Sequence, residues 1–460
     1  MHDQRQDTIA AIATPLGQGG VGIVRLSGQR SLEIGWSLFR PARRIKGLRP
    51  YTLHHGWILN EEQSPLDEVL VSYMPGPGSY TGEDVLEINC HGGPAVLQLV
   101  LQAVLRKGAR SAGPGEFTLR AFLNGRLDLS QAESVAEVIN SQSETGLALA
   151  GSKLQGALGR KVDQLKQRLE ELRTQFCLAV DFPEDELECL PVPELEKVLQ
   201  EVLRDIQALL RNYQRYSPFR QGALVVLAGQ VNAGKSSLLN ALLGSSRAIV
   251  TSVPGTTRDY LEEGINLEGL PVRLVDTAGL RSTGDQVELA GLEQGRRLVQ
   301  EADLVCLVLD VSQGVDQDTR ALAQELAGEK VLAVLNKMDL GQYLQECEKW
   351  CTDTDLDQLQ VSAKTGQNLD RLVQKMREKI VGRQAEPRPG ELVPNQRQKE
   401  SLLQAQQELQ ELASGLKQQI PFDLVQVHLD AACHSLAEIT GEFTSEDILE
   451  RIFSSFCIGK

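Results

Sequence analysis

No two cysteines stand in a C-x-x-C spacing, although eight are scattered along the 460 residues. A disulfide framework or a structural zinc site needs paired, regularly spaced cysteines, so neither is expected. "CEKWC" (Cys347, Cys351) has no second pair, and His428, Cys433, His434 and Cys457 follow no usual ligand spacing. Long apolar runs are also missing. The best stretches, such as "LVCLVLDV", have buried-strand length and fall well short of the ~20 apolar residues of a membrane helix. "MHDQRQDTIA" has neither the apolar centre of a signal peptide nor the Arg/Ser bias of a transit peptide, so a cytoplasmic protein with no membrane partner is expected. Positive charge is in deficit: the formal net charge is −15. Phosphate contacts need clustered Lys and Arg, which excludes a generic nucleic-acid binder and leaves only local basic patches.

What is present is a soluble composition, 41% apolar and 24% charged, on a chain too long for one typical core. Residues 1–121 read as an α+β domain. "DEVLVSYM" and "DVLEINC" have strand patterning, and "PAVLQLVLQAVLRKG" reads as a helix opened by Pro94 and closed near Gly108. Glycine-rich loops ("GQGGVG", "PGPGSYTG", "HGGP", "GPGEF") punctuate it and permit tight turns or close approach to a ligand. From about Ser130 the texture turns helical. Ser130 with Glu133 reads as a capping box, and Gln-, Leu- and Arg-rich segments with helical spacing fill 122–216. The same texture returns over 383–460, after "EPRPG", and Thr444 with Asp447 is expected to cap a final amphipathic helix that runs almost to Cys457. Between these halves, residues 217–382 alternate short apolar runs with helical stretches, the signature of a doubly wound parallel sheet inserted into a helical bundle domain.

That insert carries a phosphate loop. "GQVNAGKS" (Gly229–Ser236) fits G-x-x-x-x-G-K-[ST] directly after an apolar strand and before the helix "SLLNALLG". Backbone N–H groups at the helix start cradle phosphates, Lys235 neutralises the β/γ oxygens, and the Ser236 hydroxyl is a Mg²⁺ ligand. "DTAG" (Asp276–Gly279) ends a strand where a carboxylate can hold Mg²⁺, and "TSVPGTTRD" supplies a second candidate Mg²⁺ ligand, Thr257. In "NKMD", Asp339 can accept both guanine N1–H and the 2-amino group, with Asn336 and Lys337 bracing the loop; "SAK" (Ser362, Ala363, Lys364) faces the guanine oxygen. The expected GTP-binding set is Asn232, Ala233, Gly234, Lys235, Ser236 and Ser237; Thr251, Ser252, Val253, Pro254, Gly255, Thr256 and Thr257; Asp276, Thr277, Ala278 and Gly279; and the two base loops.

Leu280 follows DTAG, where many small GTPases place a water-orienting glutamine. Glu288 is the nearest carboxylate on that stretch, against the bland reading of a solvated acid. A monovalent cation between Asn232 and the "TSVPGTT" loop can supply the charge an arginine would otherwise bring; an Asn suited to a turn is the alternative.

The G-domain set resembles translation-associated GTPases, including the Era and Der ribosome-assembly factors, which stand as the alternative reading. The flanks "ATPLGQGGVGIVRLSG", "YTGEDVLEINCHGGP", "GEFTLRAFLNGRLDLSQAE" and "EITGEFTSEDILERIFSSFCIGK" resemble the MnmE (TrmE) family of tRNA modification GTPases, over essentially the whole chain. The resemblance implies an N-terminal folate-binding domain through which the chain forms a homodimer. It implies an FAD-dependent MnmG (GidA) partner, and modification of the wobble uridine of certain tRNAs at carbon 5. It also implies K⁺ at Asn232, Thr251, Val253 and Thr256, the water-orienting role at Glu288, and a reduced folate at Arg25, Glu87, Arg126 and Lys460. Arg126 stands where some members carry lysine; the charge is kept with a different donor geometry.

The tail "CIGK" has a superficial prenylation form, but Gly459 is not aliphatic and no polybasic run precedes it. A packed thiol and a reactive thiol both remain for Cys457 on the residues alone. The resemblance favours a nucleophile.

Overall fold

The computed structural model describes residues 7–181, 192–245, 262–276, 297–326, 330–382, 387–388 and 390–460. The chain divides into two compact units, one of Met1–Ala136, Lys153–Val202 and Ser401–Lys460, the other of Glu137–Ser152 and Leu203–Glu400.

The first unit holds a seven-stranded sheet: β1 (Ile9–Ile12), β2 (Gly19–Ser27), β3 (Phe39–Pro41), β4 (His54–Leu59), β5 (Pro65–Met74), β6 (Val85–Gly92) and β7 (Arg110–Ser111), ordered β3-β4-β5-β6-β2-β1-β7. Pairing is antiparallel except at β1–β7. Alternation along the strands gives the sheet two different faces. Val24, Leu26, Ile58, Val69, Val71, Leu86 and Ile88 form one, and the helices Ser31–Leu38 and Pro94–Arg106 cover it with Ile34, Leu38, Leu97, Val100 and Val104. Pro94 begins the second helix, where its missing N–H costs nothing, and apolar residues spaced three and four apart face the sheet.

The other face carries Ile9 and Ala11 against Phe117, from the helix Glu116–Leu123, and it also carries Arg25 and Glu87. Long helices complete the unit. Ala157–Asp181 packs along Phe422–Thr440, with the rings of Phe176 and Phe422 centred 4.8 Å apart.

Both expected helix starts shift by a residue or two. Leu129–Asn140 is capped by Asp128: its Oδ1 accepts from Gln131 N–H at 2.8 Å, while Gln131 Oε1 accepts from Asp128 N–H at 3.0 Å. The box is therefore Asp128 with Gln131, since Ser130 already gives its hydroxyl proton to Asp128 Oδ1. The last helix, Glu446–Ser454, has Ser445 at its N-cap without a side-chain capping bond. Thr444 Oγ1 has no partner among the described residues. Glu446 and Asp447 instead place negative charge against the first turn's N–H groups.

That helix sets Leu449, Ile452, Phe453 and Phe456 on one face, against Leu119, Phe122, Leu129 and Ala132. Its packing delivers the last residues to the N-terminal sheet. Ile458 bridges Pro114, and Lys460 O accepts from Phe117 N–H at 3.2 Å. Gly459 has φ +94°, and a Cβ there would lie 2.4 Å from Ile12 O.

The second unit contains the sheet β8 (Ala223–Gly229), β9 (Glu262–Leu267), β10 (Leu270–Asp276), β11 (Leu304–Asp310), β12 (Val331–Asn336) and β13 (Gln358–Gln360), ordered β13-β12-β11-β8-β10-β9. Five strands run parallel, as the apolar runs required, because both faces are buried. Leu238, Leu242, Leu372 and Met376 cover one face, Cys347, Trp350 and Cys351 the other. β9 is an antiparallel addition to β10 that the alternating α/β pattern did not announce.

Gly459→Ala should detach the tail, through both the left-handed backbone and the clash with Ile12 O. Hydrogen exchange at the Phe117 N–H, which donates to Lys460 O, is expected to accelerate several-fold; a wild-type rate would reject this docking.

Candidate functional site: a phosphate loop and a docked tail

In the second unit, β8, β10, β11 and β12 end at Gly229, Asp276, Asp310 and Asn336 on the same edge of the sheet. Parallel strands leave their carboxyl ends there, and side chains at those ends converge on one crevice. The loop after β8 turns through Asn232 at φ +64° and Gly234 at φ +90°. A Cβ at Gly234 would lie 2.4 Å from Asn336 Nδ2, so the close approach of the two loops requires glycine. Lys235 is buried, and its ammonium donates to Gly229 O at 2.9 Å and Gln230 O at 2.7 Å. Ser236 Oγ donates to Asp276 Oδ2 at 2.7 Å, joining two of the expected oxygen donors for a divalent cation.

The "NKMD" and "SAK" segments are braced against this loop. Asn336 Nδ2 donates to Ala233 O at 2.9 Å, and Asn336 Oδ1 accepts from Ala363 N–H at 3.1 Å. One buried amide thereby ties the phosphate loop to the "SAK" segment. Lys337, at φ +64°, donates to Asn232 O at 2.8 Å and to Asp310 Oδ2 at 2.6 Å. Ser362 Oγ donates to Asp339 Oδ1 at 2.7 Å, which aims that exposed carboxylate.

Asp310 was missed in the sequence, although its position at the end of "LVCLVLD", beside the strand that ends in Asn336, was a signal. Burial works to raise its carboxyl, but bonds from Lys337 and Ser312 outweigh it and hold the group below the usual carboxylate value. Asn232 suits its left-handed turn, and its backbone carbonyl accepts from Lys337 Nζ. Thr251, Ser252, Val253, Pro254, Gly255, Thr256, Thr257, Thr277, Ala278, Gly279 and Glu288 lie outside the described residues.

In the first unit, the structure joins Arg25, Glu87 and the tail. Arg25 Nε donates to Glu87 Oε1 at 2.8 Å, and Nη1 donates to Gly459 O at 3.2 Å. The guanidinium lies 5.8 Å from the ring centre of Tyr80 and 5.7 Å from that of Phe117. Arg126 Nε donates to Ser79 O at 3.1 Å, beside Tyr80, so the loop between β5 and β6 links Arg126 to Arg25.

Arg120 and Glu83 hold that loop and went unread in the sequence. Buried Arg120 donates to Glu83 Oε2 at 3.1 Å and Asp7 Oδ1 at 2.6 Å, and Glu83 Oε2 also accepts from Ser27 Oγ at 2.7 Å. Three carboxylates (Asp7, Glu83 and Glu116) around one arginine outweigh burial, which alone would lower the Arg120 pKa, and raise it.

Cys457 is exposed next to this cluster, its carbonyl accepting from Gly115 N–H at 3.4 Å. Cys90, Cys306 and Cys351 are buried, and burial pushes each thiol up to about 12, which leaves them as packing groups. Cys457, two residues before the Gly459 carbonyl that Arg25 bonds, is exposed where those three are buried.

Comparison with known proteins covers both parts of the chain. The family model described as "GTP-binding protein TrmE N-terminus" matches residues 8–126, and the one described as "MnmE helical domain" matches residues 129–457. A protein of Nitratidesulfovibrio vulgaris (strain DP4), named tRNA modification GTPase MnmE, is 52% identical over 462 residues, covering 99% of this chain and 100% of its own. Proteins of the same name from Lawsonia intracellularis and Carboxydothermus hydrogenoformans are 44% and 42% identical, again over 99% of this chain and 100% of theirs. Among solved structures, Aquifex aeolicus Era bound to GDP.AlF4− is similar over 40% of this chain and 66% of its own, with 23% identity and a TM-score of 0.30. With the full length matched at such identity, this chain belongs to the MnmE family of tRNA modification GTPases.

Proposed function

We propose that this chain is a K⁺-dependent GTP hydrolase. It acts as a homodimer with an FAD-dependent MnmG/GidA protein and a reduced folate, in the cytoplasm, to install an aminomethyl-type group at C5 of the wobble uridine of certain tRNAs. The observation that carries the GTP part is the convergence of Lys235, Ser236, Asp276, Asn336, Lys337 and Asp339 on one edge of a parallel sheet. Family membership supports the tRNA part.

Each residue's task follows from its chemistry. Lys235 balances the β/γ-phosphate charge, and the N–H groups of Asn232–Ser237 point at the phosphates from a helix start. Asp339, held by Ser362, accepts the two donors of guanine, which adenine lacks. The Ser236–Asp276 pair fits a Mg²⁺ site, since both are hard oxygen donors within one hydrogen bond of each other; Thr257 is the further expected ligand. Bound there, Mg²⁺ supplies charge neutralisation on the phosphate oxygens. Asn232, Thr251, Val253 and Thr256 are the oxygen donors proposed for K⁺. Glu288 orients the attacking water; the bond between the γ-phosphorus and the bridging oxygen of GDP breaks, and the water's protons leave on phosphate.

Arg25 with Glu87, together with Arg126 and Lys460, matches the needs of a reduced folate: one carboxylate for pterin donors and cations for the glutamate tail. Cys457 stands at the same place as a thiol that can add to an electrophilic carbon.

Glu288→Ala should slow GTP turnover by about 10²-fold or more, the scale of a lost acid–base group, with GTP affinity nearly intact. Unchanged turnover would reject the water-orienting assignment. Replacing K⁺ by Na⁺ at constant ionic strength should depress turnover in the wild type; equal rates would remove the cation from the scheme. Cys457→Ser should keep GTP hydrolysis yet abolish wobble-uridine modification, read by nucleoside analysis of tRNA from cells carrying only that variant. Full modification would rule out the thiol's role.

A further inference from the structure

Between Glu33 and Glu61 the sequence has no Asp or Glu, yet it carries Arg40, Arg43, Arg44, Lys46 and Arg49. On a chain of net charge −15 this is a local reversal of sign. All five side chains are exposed, and none forms a salt bridge with a described residue. Three exposed arginines near it behave differently: Arg30 pairs with Glu33, Arg106 with Glu61, and Arg110 with Asp7 and Glu116.

The segment is shaped. Arg49 N–H donates to His54 Nε2 at 2.9 Å, and Tyr51 N–H donates to Tyr73 O at 2.9 Å, which folds the β3–β4 connection back on the sheet. Tyr51 is 62% exposed. The Arg40 guanidinium lies 5.4 Å from the ring centre of Trp57, and the His55 ring is 5.7 Å from that same ring. Cations that alternate with accessible aromatic faces are the composition of a surface for phosphates and unpaired bases.

Register relates this edge to the Arg25 site. Arg40 pairs with Trp57 and Trp57 with Glu68; two pleats along, Ser72 pairs with Glu87 and Glu87 with Arg25. Alternation of two puts both rows on the face of the sheet turned away from the covering helices. Four strand intervals of ~4.8 Å and four residues of ~3.3 Å separate Arg40 from Arg25 by roughly 23 Å along that face. A folded RNA spans such a distance; a single nucleotide does not. The carboxylate of the first row, Glu68, is engaged by His55 Nε2 at 2.6 Å.

We propose that the β3–β4 edge and its basic loop form the tRNA backbone-binding surface of this protein. Arg40, Arg43, Arg44, Lys46 and Arg49 contact phosphates there and hold the RNA while its target base occupies the Arg25 end of the same face. This rests on the tRNA reading above.

The test is the full-length chain carrying Arg43→Gln, Arg44→Gln, Lys46→Gln and Arg49→Gln. It is titrated with an unmodified tRNA transcript bearing a wobble uridine, over a series of salt concentrations. The expected result is affinity at least about tenfold weaker at moderate salt, with a log–log salt slope shallower by roughly 3, about 0.7–0.9 for each phosphate no longer neutralised. GTP turnover should stay at the wild-type rate, which also shows that the variant is folded. Equal affinity and slope overturn the surface assignment and leave the tRNA reading intact. Unchanged tRNA binding with loss of the FAD-dependent partner overturns it in favour of an acidic protein surface. Failure of the wild type to bind the transcript at low salt removes the tRNA reading, and this surface with it.

Discussion

A single buried carboxamide holds the nucleotide crevice together. Asn336 gives its Nδ2 proton to Ala233 O and takes the Ala363 N–H on Oδ1, so three loops from three strand ends are fixed to one rigid plane. The contact exists only because position 234 has no Cβ. Lys337 repeats the brace from the next residue, through Asn232 O and Asp310. The 229–236 loop and the "NKMD" and "SAK" segments are thus one unit mechanically: a shift of any of them strands buried polar groups, at about 1–3 kcal/mol for each group left without a partner.

The first unit solves a different problem, the placement of a chain end. A terminus gains order only if something ties it down. Here the apolar face of Glu446–Ser454 fixes the direction, a bridge between Pro114 and Ile458 fixes the register, and the Arg25 bond to Gly459 O fixes the last turn. Burial of Phe453 and Phe456 contributes on the order of 2 kcal/mol each, which offsets part of the roughly 1–2 kcal/mol per residue that ordering the four residues beyond them costs. Cys457 inherits its position from those contacts while its thiol stays open.

Charge follows the same division between groups that hold the fold and groups left open. Arg25, Arg30, Arg106 and Arg110 of the first unit are each met by a carboxylate, and Arg120 by three of them. Those pairs organise loops around the Arg25 cluster. The β3–β4 loop differs from these: Arg43, Arg44, Lys46 and Arg49 are exposed and have no carboxylate partner among the described residues, and neighbouring Arg40 shares a sheet face with that cluster.

The amino-acid order alone determined the parallel sheet of the second unit, because runs such as "ALVVLAG" and "LVCLVLD" can be buried only on both faces. It determined the phosphate loop and the family, because these depend on residue types at fixed local spacing. It did not determine Asp310 as the partner of Lys337, Arg120 as the anchor of the 75–84 loop, or the meeting of Gly459 with Arg25, which lie 434 positions apart. Those contacts arise from strand order and helix packing, which bring together groups that local pattern leaves unrelated. The helix caps erred for a smaller version of the same reason. Several polar residues compete for one free N–H, and only the folded backbone decides that Asp128, and not Ser130, reaches it.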